Sequence, residues 1–168
     1  MLFHHRARLL LGVAAVSISA LLHSNPGFAE TVTGTLNVTA SVQQDCELGT
    51  ISTLDFDVYE PGQPNVAQAD IVVNCNTDGT VTVDLDDGQN STTAGQRAMK
   101  QQNGSDALIR YQIYTTSTRN DPWTEPRAVP VTGGDDIQVT AFGAILHTLT
   151  TSAPPGEYSD SVTVTVSF

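Results

Sequence analysis

The side chains able to do chemistry are few. His147 is the only histidine after residue 29 and so the only base available there for a Ser-His-Asp arrangement. It ends an alternating stretch with no G-x-S-x-G motif nearby, and a structural or solvated histidine is the favoured reading. Asp84, Asp86 and Asp87 precede Gly88 in "DLDDG". A calcium loop wants D-x-[DN]-x-[DN]-G, and here the glycine stands fifth rather than sixth. A hairpin turn is expected instead. Asp55 and Asp57 in "LDFDVY" sit two apart on a predicted strand, hence on one face. They suit a pair of catalytic carboxylates or a solvated face. Trp123, with Tyr111 and Tyr114, could line a sugar site, although packing at an edge is the favoured role for a tryptophan in a proline-containing loop. Asn37, Asn90 and Asn103 stand in N-x-S/T triplets, which arise by chance in a chain this rich in Ser and Thr. No cofactor or metal site emerges, and an enzyme is not expected.

Cys46 and Cys75 are the only cysteines. Their meaning depends on compartment, and the first residues speak to that. Arg6 and Arg8 supply a positive start, Leu9 to Leu22 an apolar run, and Gly27 to Ala29 the small residues of a cleavage site. This predicts a signal peptide over 1–29. The apolar run is too short to span a bilayer comfortably, and no second one follows, so no membrane insertion of the remaining chain is expected. In an exported chain an even cysteine count reads as a disulfide. Closing that loop contributes roughly 3–4 kcal/mol in the chain-entropy model. Metal binding is the alternative, and it needs ligands beyond His147. Residues 30–168 carry all 18 acidic residues but only five of the seven basic ones, a formal charge of about −13. That argues against nucleic acid and anionic lipid as partners.

The elements that would position these side chains are strands. Val32, Gly34, Leu36, Val38, Ala40 and Val42 share one parity, and Cys46 keeps the phase. Ala69–Cys75 is short and largely apolar. Thr80–Asp86, Ala107–Tyr114 and Asp136–Leu146 alternate. In "YSDSVTVTVSF", Tyr158, Val162, Val164, Val166 and Phe168 fall on one face, with Asp160 the only break. Period two predicts half-buried strands, and several short strands parted by turn residues predict an all-β sandwich. Gln89–Arg97 and Ser117–Val129 read as exposed loops. The last strand ends the sequence with no tail, although termini fray unless something ties them down. An apolar edge there needs a cover.

The order of "VTGTLNV", "SVQQDCEL", "IVVNCNTDGTVTVDLDDGQN", "ALIRYQIY", "FGAI" and "GEYSDSVTVTVSF" resembles the spore coat protein U domain, the group that includes subunits of archaic, Csu-type chaperone–usher pili. The resemblance spans essentially all of 30–168. It implies an incomplete immunoglobulin-like sandwich completed by donor-strand complementation, in which an edge accepts a strand from another molecule. A periplasmic chaperone would fill the groove first. The extension of a neighbouring pilus subunit would replace it as an outer-membrane usher assembles the fibre.

On this reading residues 30–41 are a donor-strand extension and 42–168 the pilin domain. Val32, Gly34, Leu36, Val38 and Ala40 form the donor row, each larger aliphatic contributing about 1.5–3 kcal/mol when fully buried. Gly34 would take the shallow pocket where exchange begins. Val162, Val164, Val166 and Phe168 form the acceptor edge, and a carboxylate on Phe168 suits a basic anchor on the chaperone. The alternative for 31–46 is one long first strand of the domain's own sheet. The chain is then expected to be a shaft or minor adaptor subunit of a surface fimbrium with a role in adhesion and biofilm formation. Its competitors are a self-contained secreted or spore-surface immunoglobulin-like binding module and an all-β hydrolase built on His147.

Overall fold

A computed structural model describes residue 27 and residues 29–149 and 153–168. The predicted signal peptide lies almost wholly outside the described residues. Among them, no helix is long and apolar enough to cross a membrane. The chain divides into a unit up to Ala40 and a unit from Ser41 to Phe168.

The second unit is all-β. Its strands are β1 (Cys46–Ile51), β2 (Val66–Cys75), β3 (Gly79–Leu85), β4 (Arg97–Gln101), β5 (Leu108–Tyr114), β6 (Arg127–Val131), β7 (Asp136–Ile145), β8 (Tyr158–Ser159) and β9 (Val164–Ser167), with a 3-10 turn at His147–Leu149. One sheet has the order β1-β2-β7-β5-β4-β8 and the other β6-β3-β9. Every pairing between these strands is antiparallel. Alternation decides what goes inside. In β2, Ala69, Ile71, Val73 and Cys75 are buried while Asp70, Val72 and Asn74 are half-exposed. In β3, Val81, Val83 and Leu85 point in. These faces meet Ile109, Tyr111, Ile113, Val139, Ala141 and Ile145 in one core, with the polar faces left to water.

Cys46 and Cys75 lie directly opposite on β1 and β2, Cα atoms 4.1 Å apart, and are joined in a disulfide. It ties β1 to β2 within one sheet beside the β2–β3 turn, where Val73, Cys75, Val81 and Val83 are fully buried.

Several sequence expectations are corrected. "DLDDG" is not a hairpin: β3 pairs with β6 and β9, whereas β4 pairs with β5 and β8, so the chain crosses between sheets there. Gln89–Arg97 is not wholly an exposed loop, because Arg97 opens β4 and is fully buried. Ser117–Val129 is one only as far as residue 126: β6 begins at Arg127, and within the loop Trp123 is fully buried rather than packed at an edge. Pro130 disguises β6, yet β6 is an edge strand, where a missing N–H costs no ladder bond. Asp55 and Asp57 lie on no strand. Asp57 has φ +56°, and its N–H donates to Asp55 Oδ1 at 2.8 Å. The last strand is two short ones in different sheets, parted by residues 160–163. Residues 31–45 carry no strand.

Candidate functional site

The strand β9 is an edge. It pairs with β3 through Leu85↔Val164 to Thr82↔Ser167, and no strand lies on its other side among the described residues. Val162, Val164 and Val166 are half-buried and pack against the core, while Phe168 is 58% exposed. Beside this edge the sandwich gapes. A groove of about 1220 Å³ runs between Val162 and Val164 on one side and Ile71, Ile109, Tyr111 and Ile145 beneath. The second unit is closely packed beside its disulfide and open at the end where β3 finishes. An unpaired edge over an apolar trough lets a strand gain main-chain bonds and bury alternate side chains together.

Two devices hold this edge in place. The first is Asp160, the one break in the apolar phase, which sits where the chain leaves β8 for the other sheet. Its Oδ1 accepts from the Gln89 N–H (3.0 Å), the Asn90 N–H (3.3 Å) and Asn90 Nδ2 (2.9 Å), and its Oδ2 accepts from Tyr111 Oη (2.7 Å). Burial, then the Asp160 bond and charge, push the Tyr111 phenol far above its ordinary range and keep it a donor. Gly88, at φ +77°, must be glycine twice over, since a Cβ there would also run into the Asp160 carboxylate. Asp86 completes the stitching: its N–H donates to the Thr163 carbonyl (3.1 Å) and its Oδ1 accepts from the Thr163 N–H (2.8 Å).

The second device is Arg97, which follows a polar stretch with no apolar period. It reaches from β4 across the core. Nε donates to the Asp86 carbonyl (2.8 Å) and Nη2 to the Leu85 carbonyl (2.9 Å) at the end of β3; Nη1 donates to Gln112 Oε1 (2.8 Å), and Nη1 and Nη2 both reach the Trp123 carbonyl (3.2 Å). Burial pulls its guanidinium below its ordinary value, with Tyr111, Asp87, Asp86 and Asp160 pulling the other way. A lone arginine in a polar stretch gives no periodic signal. The only cue was its place between two recognisable strands.

The groove is roofed in part by the connection from β1 to β2. Leu54 and Phe56 of that connection lie against the backbone of Gly143, where a Cβ would stand 2.8 Å from the Phe56 ring. Phe56 meets Tyr111 edge-on at 5.8 Å. A glycine inside a strand weakens it unless something must approach closely, and here Phe56 does.

Residues 32–40 belong to the first unit. Val32, Leu36 and Val38 are 90%, 86% and 84% exposed, and Gly34 and Ala40 are also exposed.

The catalytic candidates do not assemble. The His147 ring stacks on Tyr59 at 5.8 Å, and among the described residues neither ring nitrogen has a hydrogen-bond partner. Asp84, Asp86 and Asp87 spend oxygens on the N–H groups of Leu85, Gly88 and Gly95. Among the described residues no three His, Cys, Asp or Glu side chains are placed to hold a metal ion. Trp123 offers no face to a sugar, since it is buried with Arg127 over its ring at 5.7 Å.

Comparison with known proteins follows the same lines. The family model described as Spore Coat Protein U domain matches residues 32–165. No curated protein matches the chain. Among solved structures, the chain is similar to one described as the crystal structure of the CsuC-CsuE chaperone-tip adhesion subunit pre-assembly complex from archaic chaperone-usher Csu pili of Acinetobacter baumannii. The identity is 26% and the TM-score 0.56, covering 76% of this chain and 40% of that one. A fainter likeness, at 10% identity and TM-score 0.39 over 70% of this chain and 40% of the other, is to a chaperone-tip adhesin complex of CFA/I fimbriae biogenesis. The chain thus spans about two fifths of the length of the chains it resembles.

Proposed function

The chain belongs to the Spore Coat Protein U domain family, and on that premise we propose that it is a structural subunit of a chaperone–usher pilus, a shaft or minor adaptor, that polymerises by donor-strand exchange. The observation that carries this is the unpaired β9 edge beside a groove of about 1220 Å³, in a chain that also bears the exposed row Val32, Leu36, Val38. The occupant is the row of a second copy, Val32 to Ala40. Val162, Val164 and Val166 are the acceptor row, with Phe168 at its end. The similar Csu subunit was solved with its chaperone, which supports a periplasmic chaperone as the groove's first occupant here and an outer-membrane usher as the assembler. Export through 1–29, donor residues 30–41 and domain 42–168 follow from the same reading, as do a surface fimbrium and a role in attachment and biofilm. The energy source is folding: the domain gains its missing strand only on assembly, so completion and polymerisation are linked.

The test is production of the chain in a periplasm with and without residues 30–40, each run heated and unheated on denaturing gels. A heat-sensitive ladder from the full form, absent from the truncated one, is expected. Two stable monomers would favour a self-contained binding module. Leu36→Asp with Val38→Asp is expected to abolish the ladder and leave export intact. Fibres from that variant would sink the donor assignment.

A further inference from the structure

Asparagine is a chemically labile residue, and most of all before glycine, which puts no Cβ beside the backbone nitrogen that attacks the side chain. Asn103-Gly104 is the only Asn-Gly pair in the chain, and Asp78-Gly79 and Asp87-Gly88 are its acidic counterparts. The fold treats these pairs differently. Asp78 Oδ1 accepts from the Gly133 N–H at 2.8 Å, and Gly79 is paired with Val131 at the start of β3. Asp87 Oδ2 accepts from the Gly95 N–H at 2.9 Å, and the Gly88 N–H is spent on Asp86 Oδ1 at 2.9 Å. In both acidic pairs the side chain and the glycine are held in place.

Asn103-Gly104 lies in the turn that joins β4 to β5, and both residues are exposed. Among the described residues neither the Asn103 side chain nor the Gly104 N–H has a hydrogen-bond partner. Gly104 has φ +87°, and a Cβ built on it meets nothing within 4 Å. The other asparagines lack this combination. Asn65, Asn74, Asn76 and Asn90 spend Nδ2 on Val58, Asp136, Gln43 and Asp160, and Asn37 precedes the branched Val38.

We propose that Asn103-Gly104 is a self-modifying site, at which the folded chain converts Asn103 to aspartate and isoaspartate with water as the only co-reactant. The Gly104 nitrogen attacks Asn103 Cγ. The N–Cγ bond forms, the Cγ–Nδ2 bond breaks, and Nδ2 leaves as ammonia with the proton that Gly104 gave up. Water then opens the five-membered imide at either of its two carbonyls. Nothing is oxidised or reduced. The product adds one negative charge to a chain already at about −13, and isoaspartate also adds a methylene to the backbone of the turn.

The experiment incubates the purified folded chain in mildly alkaline buffer made with isotopically labelled water. Digests are mapped by mass spectrometry beside those of Asn103→Gln, Gly104→Ala and the parent unfolded in guanidinium. Expected in the folded parent are progressive conversion of residue 103 with label in the new carboxyl group, an acidic shift on isoelectric focusing, and no isoaspartate at 78 or 87. Asn103→Gln should lose the conversion, because its ring would be one atom larger, and Gly104→Ala should slow it. Unfolding should release 78 and 87 to isomerise and leave 103 reactive. An Asn103 that stays intact in the folded chain while the unfolded chain converts overturns the proposal, since the turn then keeps the amide out of reach. Isoaspartate at 78 or 87 in the folded chain at the rate seen at 103 overturns it too, because the fold would then select nothing.

Discussion

Arg97 and Asp86 show how single side chains hold an edge strand in a sandwich that lacks a neighbour for it. Arg97 is fully buried and donates to four groups, three of them backbone carbonyls at the ends of β3 and at Trp123. Arg97→Met keeps much of the volume but leaves those acceptors unsatisfied, each at about 1–3 kcal/mol. A loss of about 3 kcal/mol or more is expected in urea unfolding, and a loss under about 1 kcal/mol would show that water replaces the guanidinium. Asp86 makes a pH prediction. Burial would raise its carboxyl, but bonds from Thr163 and Gly88 and the Arg97 charge outweigh that and hold it below 3.8. A depressed folded value means the contribution is present above the unfolded value and is lost as pH falls through the folded one. The grip on Thr163 should therefore weaken only below about pH 4. Unfolding followed from pH 6 to pH 2 should show a shallower acid decline in Asp86→Asn than in the parent, and identical slopes would remove Asp86 from the account.

At the scale of elements, β9 matters because of which face it shows. Val164 is half-buried beside the groove and Thr165 points to water. Val164→Asp places a charge beside the groove and, on the donor-strand proposal, is expected to prevent fibres, whereas Thr165→Asp on the other face should assemble normally. Equal effects from the two would mean that β9 is not the acceptor. The same parity explains what could be read from the sequence. Strands with one wet face, β2, β3, β5, β7 and β9, announce themselves through alternating Val, Ile and Thr. β4 does not, because its inward residues include Arg97 and Gln101, buried by hydrogen bonds rather than by apolar character. β6 is masked by Pro130, which only its edge position allows. The break at Asp160 was visible as a lost beat in the apolar phase. That it marks a change of sheet was not, since its partners Gln89, Asn90 and Tyr111 are about fifty to seventy residues away and period carries no long-range information. The groove was legible only through family resemblance, because a missing neighbour leaves no residue to read.

Over the whole second unit, stability is unevenly placed. The disulfide end holds fully buried Val73, Val81 and Val83, whereas the opposite end surrounds an unfilled groove. A domain built this way can wait for a strand without unfolding if the closed end is secure on its own. The Cys46–Cys75 bond, spanning a sequence separation of 29, is well placed for that task. Cys46→Ser with Cys75→Ser is expected to cost roughly 3–4 kcal/mol in urea unfolding of the unassembled chain. The same substitution should cost the assembled fibre far less in dissociation, because the inserted strand joins the groove at the other end and adds its own stabilisation by mass action. Gel mobility of unheated fibres across a temperature series tests this. If the serine variant lowers fibre melting as much as it lowers monomer stability, the two ends of the sandwich are one cooperative unit, and the closed end does not secure the unassembled domain by itself.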